Sequence, residues 1–392
     1  MDEPSHIFDL DRSKLSQLVE EWGLPRYRAD QVLEWVYRHQ VDDTAAMTNL
    51  SRQDQQLLAQ RLRFTTGRIV ARQTATDGVR KLLIDWSDTS DGERKTQTEC
   101  VLIPTAQRNT ACISSQVGCP VGCRFCASGL GGLDANLTSG RIVEQVWQLG
   151  GSTLEEAEPE ARINRTGDSC HSSSPKPQAT PRTITHIVFM GMGEPLANFE
   201  QVVAAVRTLT ADWGPNISAR RITISTVGLP AQIRRLAELH LPITLAISLH
   251  APNDELRRRL IPWADYVQIE QLLDAGSHYF ARTGREVTLE YILLRQVNDR
   301  PEHARQLADV ARRLRSNVNL IRYNEVKGLP FSRPATDDVW RFQQILRSAG
   351  INTHIRASRG RDIAAACGQL RAQGPESKVQ SPKSRVSTRG EG

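Results

Sequence analysis

The chain has 392 residues, carries 50 Lys and Arg against 44 Asp and Glu, and holds seven cysteines. With 39% hydrophobic residues it can bury a real core, so a wholly disordered chain is excluded, and the length predicts two or three domains. No stretch approaches the roughly 20 apolar residues of a membrane span, and Met1-Asp2-Glu3-Pro4 lacks the basic-then-apolar pattern of a secretory signal. The expectation is a cytoplasmic protein with no membrane partner. Thiols stay reduced there, so an odd set of cysteines points to metal binding or catalysis rather than to disulfides. The net charge of +6 is a weak pointer to an acidic partner such as nucleic acid.

Residues 1–66 read as a small helical accessory domain. Helical spacing predicts helices over Asp9–Trp22 and Arg28–Tyr37 (Val32, Leu33, Val36), and Ser51 caps a third through Leu62. Such a module suits simple packing as well as RNA binding. Residues 67–104 read as a β extension, in which Ile69–Thr74 and Val79–Asp85 flank the Asp77-Gly78 hairpin signal and Thr98–Ile103 supplies a third strand.

Residues 105–371 alternate between strand and helix patterns. Strands are predicted at 111–116, 184–190, 221–226, 243–249, 287–293, 318–323 and 352–357. Helices are predicted at 139–149, 199–211, 230–240, 269–282, 301–315 and 336–349. Repeated βα units imply an α/β fold with a parallel sheet, open or curled into a full or partial barrel, and ligand sites at the C-terminal strand ends. Residues 151–182, polar and rich in Pro and Ser, read as a disordered insertion, and the basic 372–392 segment as a disordered tail.

Cys119, Cys123 and Cys126 stand in GCPVGCRFCASG, just after the strand predicted at 111–116. A structural zinc site would want a fourth ligand from a second Cys or His pair, and none follows. Three thiolates suit a [4Fe–4S] cluster with one iron left open. In this pattern, with Phe125 before the last cysteine, the chain resembles the radical S-adenosylmethionine superfamily. ACISSQVGC (111–119), NLTSGRIVEQV (136–146), FMGMGEP (189–195), ITISTVG (222–228), ISLHAPND (247–254) and DIAAACGQL (362–370) are similar to the radical SAM adenosine C2 methyltransferases of RlmN type. LPRYRADQVLEWVYRH (24–39) is similar to that family's N-terminal module.

The resemblance implies a partial (β/α)6 radical-SAM barrel and a reaction at adenine C2 using two S-adenosylmethionine molecules per turnover. The first methylates Cys367. The second is cleaved at the cluster, and its deoxyadenosyl radical takes a hydrogen from the S-methyl group. The methylene radical then adds to C2, which is electron-poor and a weak nucleophile. Cys112 attacks the sulfur of Cys367, forming a transient disulfide that releases the base, and Glu99 accepts the C2 proton. Gly193, Glu194, Ser225, Ser248, Leu249, His250 and Asn324 match S-adenosylmethionine contacts, and Cys119, Cys123 and Cys126 match the cluster ligands. The implied partners are 23S rRNA, tRNA beside its anticodon, and an electron donor such as flavodoxin or ferredoxin, acting on a monomer.

The chain departs from the family in its long insertion, in Asp134, where a basic residue is common, and in Arg322 and Glu325, where prolines are frequent. Rival readings are a C8 adenosine methyltransferase of Cfr type conferring antibiotic resistance, a tRNA methylthiotransferase, and a non-catalytic Fe–S RNA-binding protein. The third leaves Cys112, Cys367 and Glu99 without roles, and the second needs further cluster cysteines before Cys100. Cys100 and Cys170 receive no role. Residues 356–392 carry a net +5, leaving +1 for all the rest, so the basic character is expected around Cys367 and the tail.

Overall fold

A computed structural model describes residues 3–86, 96–154 and 184–371. The expected tail and residues 155–182 of the expected insertion, with Cys170, lie outside them. Residues 151–154 continue the preceding helix rather than opening a loop.

The N-terminal module forms because three amphipathic segments are each capped or crossed at their ends. Helix α1 (Arg12–Glu21) begins where the Asp11 carboxylate accepts from Lys14 N at 2.8 Å. Helix α2 (Tyr27–Arg38) follows, and α3 (Arg52–Arg61) begins where Ser51 Oγ accepts from Asp54 N at 3.1 Å. Leu15, Val19, Val32, Leu33, Val36 and Leu58 supply the buried face. The short strands β1 (Ser5–His6) and β2 (Leu62–Arg63) pair in parallel and tie the two ends of the module together.

This module docks on α4 (Ser139–Leu154). The Asp9 carboxylate caps that helix, accepting from Ser139 Oγ at 2.9 Å and Gly140 N at 2.5 Å. A Cβ on Gly140 would lie 2.6 Å from Asp9 Cγ, so only glycine admits the cap. Trp147 Nε1 donates to Val36 O at 2.9 Å, and the module's apolar residues join those of the barrel in one continuous core.

A ten-stranded sheet carries the rest. Strands β3 (Arg68–Thr74), β4 (Arg80–Asp85) and β5 (Gln97–Pro104) are the antiparallel extension, and β5 pairs antiparallel with β6 (Asn109–Cys112). A separate hairpin joins β7 (Gln116–Gly118) to β8 (Leu133–Asn136). Strand β6 then pairs in parallel with β9 (His186–Phe189), followed in order by β10 (Ile222–Thr226), β11 (Thr244–Ser248), β12 (Val287–Leu293), β13 (Ser316–Arg322) and β14 (Thr353–Arg356). The crossovers carry α4, α5 (Phe199–Thr210), α6 (Pro230–Ala237), the short α7 (Asp254–Leu260) with α8 (Ile269–Thr283), α9 (Pro301–Arg312) and α10 (Thr336–Ser348). Six strand–helix units and a seventh parallel strand make the expected partial barrel, which ends at β14 on one side and β3 on the other.

Two local expectations change. The strand predicted over 111–116 ends at Cys112 and a second begins at Gln116, because the Ser115 and Gln116 amides both turn to Met192 O, at 2.9 and 3.3 Å. Helix α7 has too few turns to show a period. It earns its place by burying Arg257, whose guanidinium donates to Val227 O at 2.6 Å, Val267 O at 3.1 Å and Leu249 O at 3.3 Å. These bonds lock the loops above the C-terminal strand ends.

After β14 the chain folds back over the β extension. Gly360 N donates to Asp77 Oδ2 at 3.0 Å, Thr76 N to Asp362 Oδ2 at 2.9 Å, and Arg371 N to Glu99 Oε2 at 2.8 Å. The segment bearing Cys367 is thereby laid between the extension and the cysteine loop.

Candidate active site

Three thiols face one cavity at the C-terminal strand ends. Cys119, Cys123 and Cys126 line it together with the Gly191–Glu194 turn, Ser225, Ser248 and His250. Burial pushes the Cys119 thiol up to about 12, while the Val121 and Gly122 amides turned toward the sulfur act the other way. Burial likewise raises Cys126, against Ser128 and the Gly129 amide. Amides aimed at sulfur stabilise thiolates, which is what an iron–sulfur cluster requires of its ligands. Among the described residues no three His, Cys, Asp or Glu side chains converge as the ligands of a single metal ion. The donor set, three thiols of one loop opening on a cavity large enough to take a second molecule, fits a cluster with one iron free for a co-substrate better than a closed zinc site.

The walls of that cavity are rigidly held. Glu194 Oε1 accepts from Leu196 N at 3.0 Å and Oε2 from Val227 N at 2.8 Å, and burial pushes the carboxyl up to about 7. Gly193 has φ +105°, and a Cβ there would lie 2.6 Å from Ser115 Oγ. Its lack of a side chain lets the turn pack closely against Ser115 and Gln116 while it lines the cavity. Ser225 Oγ and Ser248 Oγ are 3.2 Å apart. His250 Nδ1 accepts from Ile292 N at 3.0 Å, and burial lowers the ring's pKa to about 3, so it is a neutral residue standing edge-on to Phe125. Leu249 turns into the core, and Asn324 lies lower, its Nδ2 donating to Cys367 O at 3.3 Å.

Beneath this cavity the barrel is hollow, and Cys112 and Cys367 stand on its walls. Cys367 belongs to both spaces, Cys112 only to the lower one. Burial and the neighbouring Cys367 push the Cys112 thiol up to about 12, with the Arg356 cation opposing. Arg356 NH1 lies 2.9 Å from Met190 Sδ, and its pKa is raised by Cys367 first and then by Glu290 and Cys112. The sequence reading missed Arg356. Its signal was alternation: as the last residue of β14, two positions after His354, it shares the inward face.

Glu99 is not gathered with the two cysteines. Its carboxylate faces a separate hollow on the other side of the Cys367 segment, where Lys81 Nζ lies 2.8 Å from Oε1. Burial raises its pKa while Lys81 and the Arg371 amide lower it.

Residues 5–63 match the ribosomal RNA large subunit methyltransferase N-terminal domain, and residues 178–308 match the Radical SAM superfamily. The solved structure of a radical SAM methyltransferase from Sphaerobacter thermophilus is 42% identical, with a TM-score of 0.84 over 94% of this chain and 100% of that one. Fold and site thus define a radical SAM methyltransferase, a class whose cofactors are a [4Fe–4S] cluster and S-adenosylmethionine. Similar curated proteins include the probable dual-specificity RNA methyltransferase RlmN of Dictyoglomus turgidum, 39% identical over 94% of this chain and 97% of that protein. That of Prochlorococcus marinus is 44% identical over 91% and 93%, and the dual-specificity RNA methyltransferase RlmN of Dichelobacter nodosus 39% over 94% and 95%. The chain belongs to the RlmN family of dual-specificity RNA methyltransferases, not to the C8 enzymes. Among the described residues no helix is long and apolar enough to cross a membrane.

Proposed function

We propose that this enzyme methylates C2 of an adenosine in 23S rRNA and of one beside the tRNA anticodon, with Cys367 as methyl carrier, Cys112 as resolving thiol and Glu99 as proton acceptor. The observation that carries this reading is the double exposure of Cys367, to the cavity of the three loop cysteines and to the hollow that holds Cys112. A methyl carrier must meet both the co-substrate and the base, and no other cysteine does so among the described residues.

When bound, the cluster and S-adenosylmethionine supply one-electron cleavage and hence carbon-radical chemistry, which an electron-poor C2 accepts. The chain's own residues do the rest. Cys367 acts as the nucleophile, with the Arg356 cation on the wall of the same hollow. Once the odd electron left by radical addition has passed back to the one-electron centre and the C2 proton has been removed, Cys112 attacks the Cys367 sulfur. The C–S bond to the RNA breaks, its electron pair and a proton from solvent complete the methyl group, and reduction of the resulting disulfide by an external thiol returns the enzyme. Glu99 takes the C2 proton. Because Arg371 N holds its Oε2, the Cys367 segment must shift for the carboxylate to reach the base. A small carrier such as a flavodoxin or ferredoxin supplies the electron, and the enzyme works as a monomer.

The test is anaerobic turnover on rRNA and tRNA, with nucleosides identified by mass spectrometry. We expect 2-methyladenosine, with S-adenosylhomocysteine and 5′-deoxyadenosine formed in equal amounts. A methyl group at C8 alone, or no methylated RNA, would overturn the reading.

A further inference from the structure

The lower hollow departs from an ordinary barrel interior. Bulky branched side chains normally fill such a space. Here Thr110, Thr223, Thr244, Thr288 and Asn319 point inward from β6, β10, β11, β12 and β13, with Val188 of β9 beside them, and the space they leave is continuous from Cys112 and Cys367 down to the N-terminal strand ends. Short hydrogen-bonding side chains interleaved with apolar ones around an open volume suit a planar base, not a close-packed core.

The mouth of this hollow is basic. Arg108 immediately precedes β6, Arg220 and Arg221 immediately precede β10, and His186 opens β9. All three arginines are exposed, and among the described residues none forms an ion pair. Burial, then the charges of Arg108 and Arg221, holds His186 below its ordinary pKa, so these two cations flank one ring from different strands. Among the described residues the one carboxylate lining the hollow, Glu290, sits deeper, on the inward face of β12 near Arg356.

We propose that the substrate RNA docks at this N-terminal mouth, its backbone phosphates held by Arg108, Arg220 and Arg221, while one extruded adenosine passes up the hollow to Cys367 and Cys112. The inference rests on the function proposed above. Cys112 opens only on the lower hollow, so a base that bridges both cysteines has to come from below. The other end of the barrel is taken by the cysteine loop and the Gly191–Glu194 turn. Strand β6 spans Asn109–Cys112, which sets the backbone of the mouth about 13 Å from Cys112 at the ordinary rise per residue, so the RNA backbone has to enter the mouth for an extruded base to reach the cysteines. Co-substrate and RNA thus enter from opposite ends and meet at Cys367.

The test uses the full chain and a synthetic RNA hairpin with an unpaired adenosine in its loop, with binding measured across a series of salt concentrations. Replacing Arg220→Ala with Arg221→Ala removes two phosphate contacts. It is expected to weaken binding at least tenfold and to flatten the log–log salt slope by about 1.4. Arg220→Lys with Arg221→Lys keeps the charges and is expected to keep the slope, which separates charge loss from misfolding. Arg305→Ala with Arg341→Ala, an equal charge loss on the outer helices α9 and α10, is expected to leave binding unchanged. If the wild type binds and methylates the hairpin but the alanine pair binds it with the wild-type slope, the docking proposal falls alone. A wild type that methylates no RNA removes the functional reading beneath it.

Discussion

Lys81 Nζ lies 2.8 Å from Glu99 Oε1, with both side chains nearly buried, in a hollow separate from the one lined by Cys112 and Cys367. Lys81 also reaches Ala364 O at 3.4 Å, so one cation joins the β extension to the segment that carries Cys367. Burial raises the Glu99 pKa and Lys81 opposes that rise. Replacing Lys81→Met is therefore expected to move the acidic limb of the pH–kcat profile to higher pH, since the base must be ionised to work. Glu99→Gln is expected to lose about 10²–10⁴ in rate, the usual worth of a positioned base. An unmoved acidic limb in the Lys81 variant would show that Glu99 is not the group being titrated.

The two-cysteine chemistry predicts opposite failures. With Cys112→Ala the RNA stays bonded to Cys367, because nothing attacks the sulfur to release it, and a stoichiometric protein–RNA adduct is expected on denaturing gels. With Cys367→Ala neither adduct nor product forms. Cys119, Cys123 and Cys126 are untouched in both, so the iron content is expected to match the wild type. Multiple turnover by the Cys112 variant contradicts its assignment.

Arg356 is the cation common to Cys112, Cys367 and Glu290. Removing an opposite charge from a thiol's surroundings raises its pKa by about 1–3 units, which lowers the thiolate fraction at least tenfold. Arg356→Met is expected to slow alkylation of Cys112 by iodoacetamide to that extent, and Arg356→Lys to restore part of it. Wild-type alkylation rates in the methionine variant would deny Arg356 this role.

His6 joins the N-terminal module to α4, with Nε2 3.0 Å from Glu144 Oε2 and Nδ1 3.4 Å from Asp9 Oδ2. Burial disfavours its charge, but the hydrogen bonds and charges of Asp9 and Glu144 outweigh that and raise its pKa above 6.5. Its stabilising contribution is therefore full below the unfolded value and fades as pH rises through the raised folded value. His6→Ala is expected to destabilise by about 1–3 kcal/mol in acid. The gap in Tm from wild type should narrow at alkaline pH, and a gap that widens there would refute the ion pair.

Much of the architecture is written in local pattern. The helix period in Val32, Leu33 and Val36, the cap at Ser51, the Asp77-Gly78 turn and the strand at 221–226 concern residues within a few positions of one another, and each appears where it was read. The cysteine loop is legible for the same reason, since Cys119, Cys123 and Cys126 reach one cavity through a single turn of chain.

What could not be read this way depends on partners far apart in the chain. Arg371 and Glu99 are 272 positions apart, and Thr76 and Asp362 are 286 apart, yet these bonds decide which hollow the Glu99 carboxylate faces. The same is true of charge. A body with a net of only +1 gives no sign of a basic mouth, and only the curl of the sheet brings Arg108 beside Arg220 and Arg221. Amino-acid order determines which residues face inward, because side-chain direction repeats along the backbone. The closure of the sheet alone decides what they meet inside, because pairing between distant strands sets every distance across the hollow.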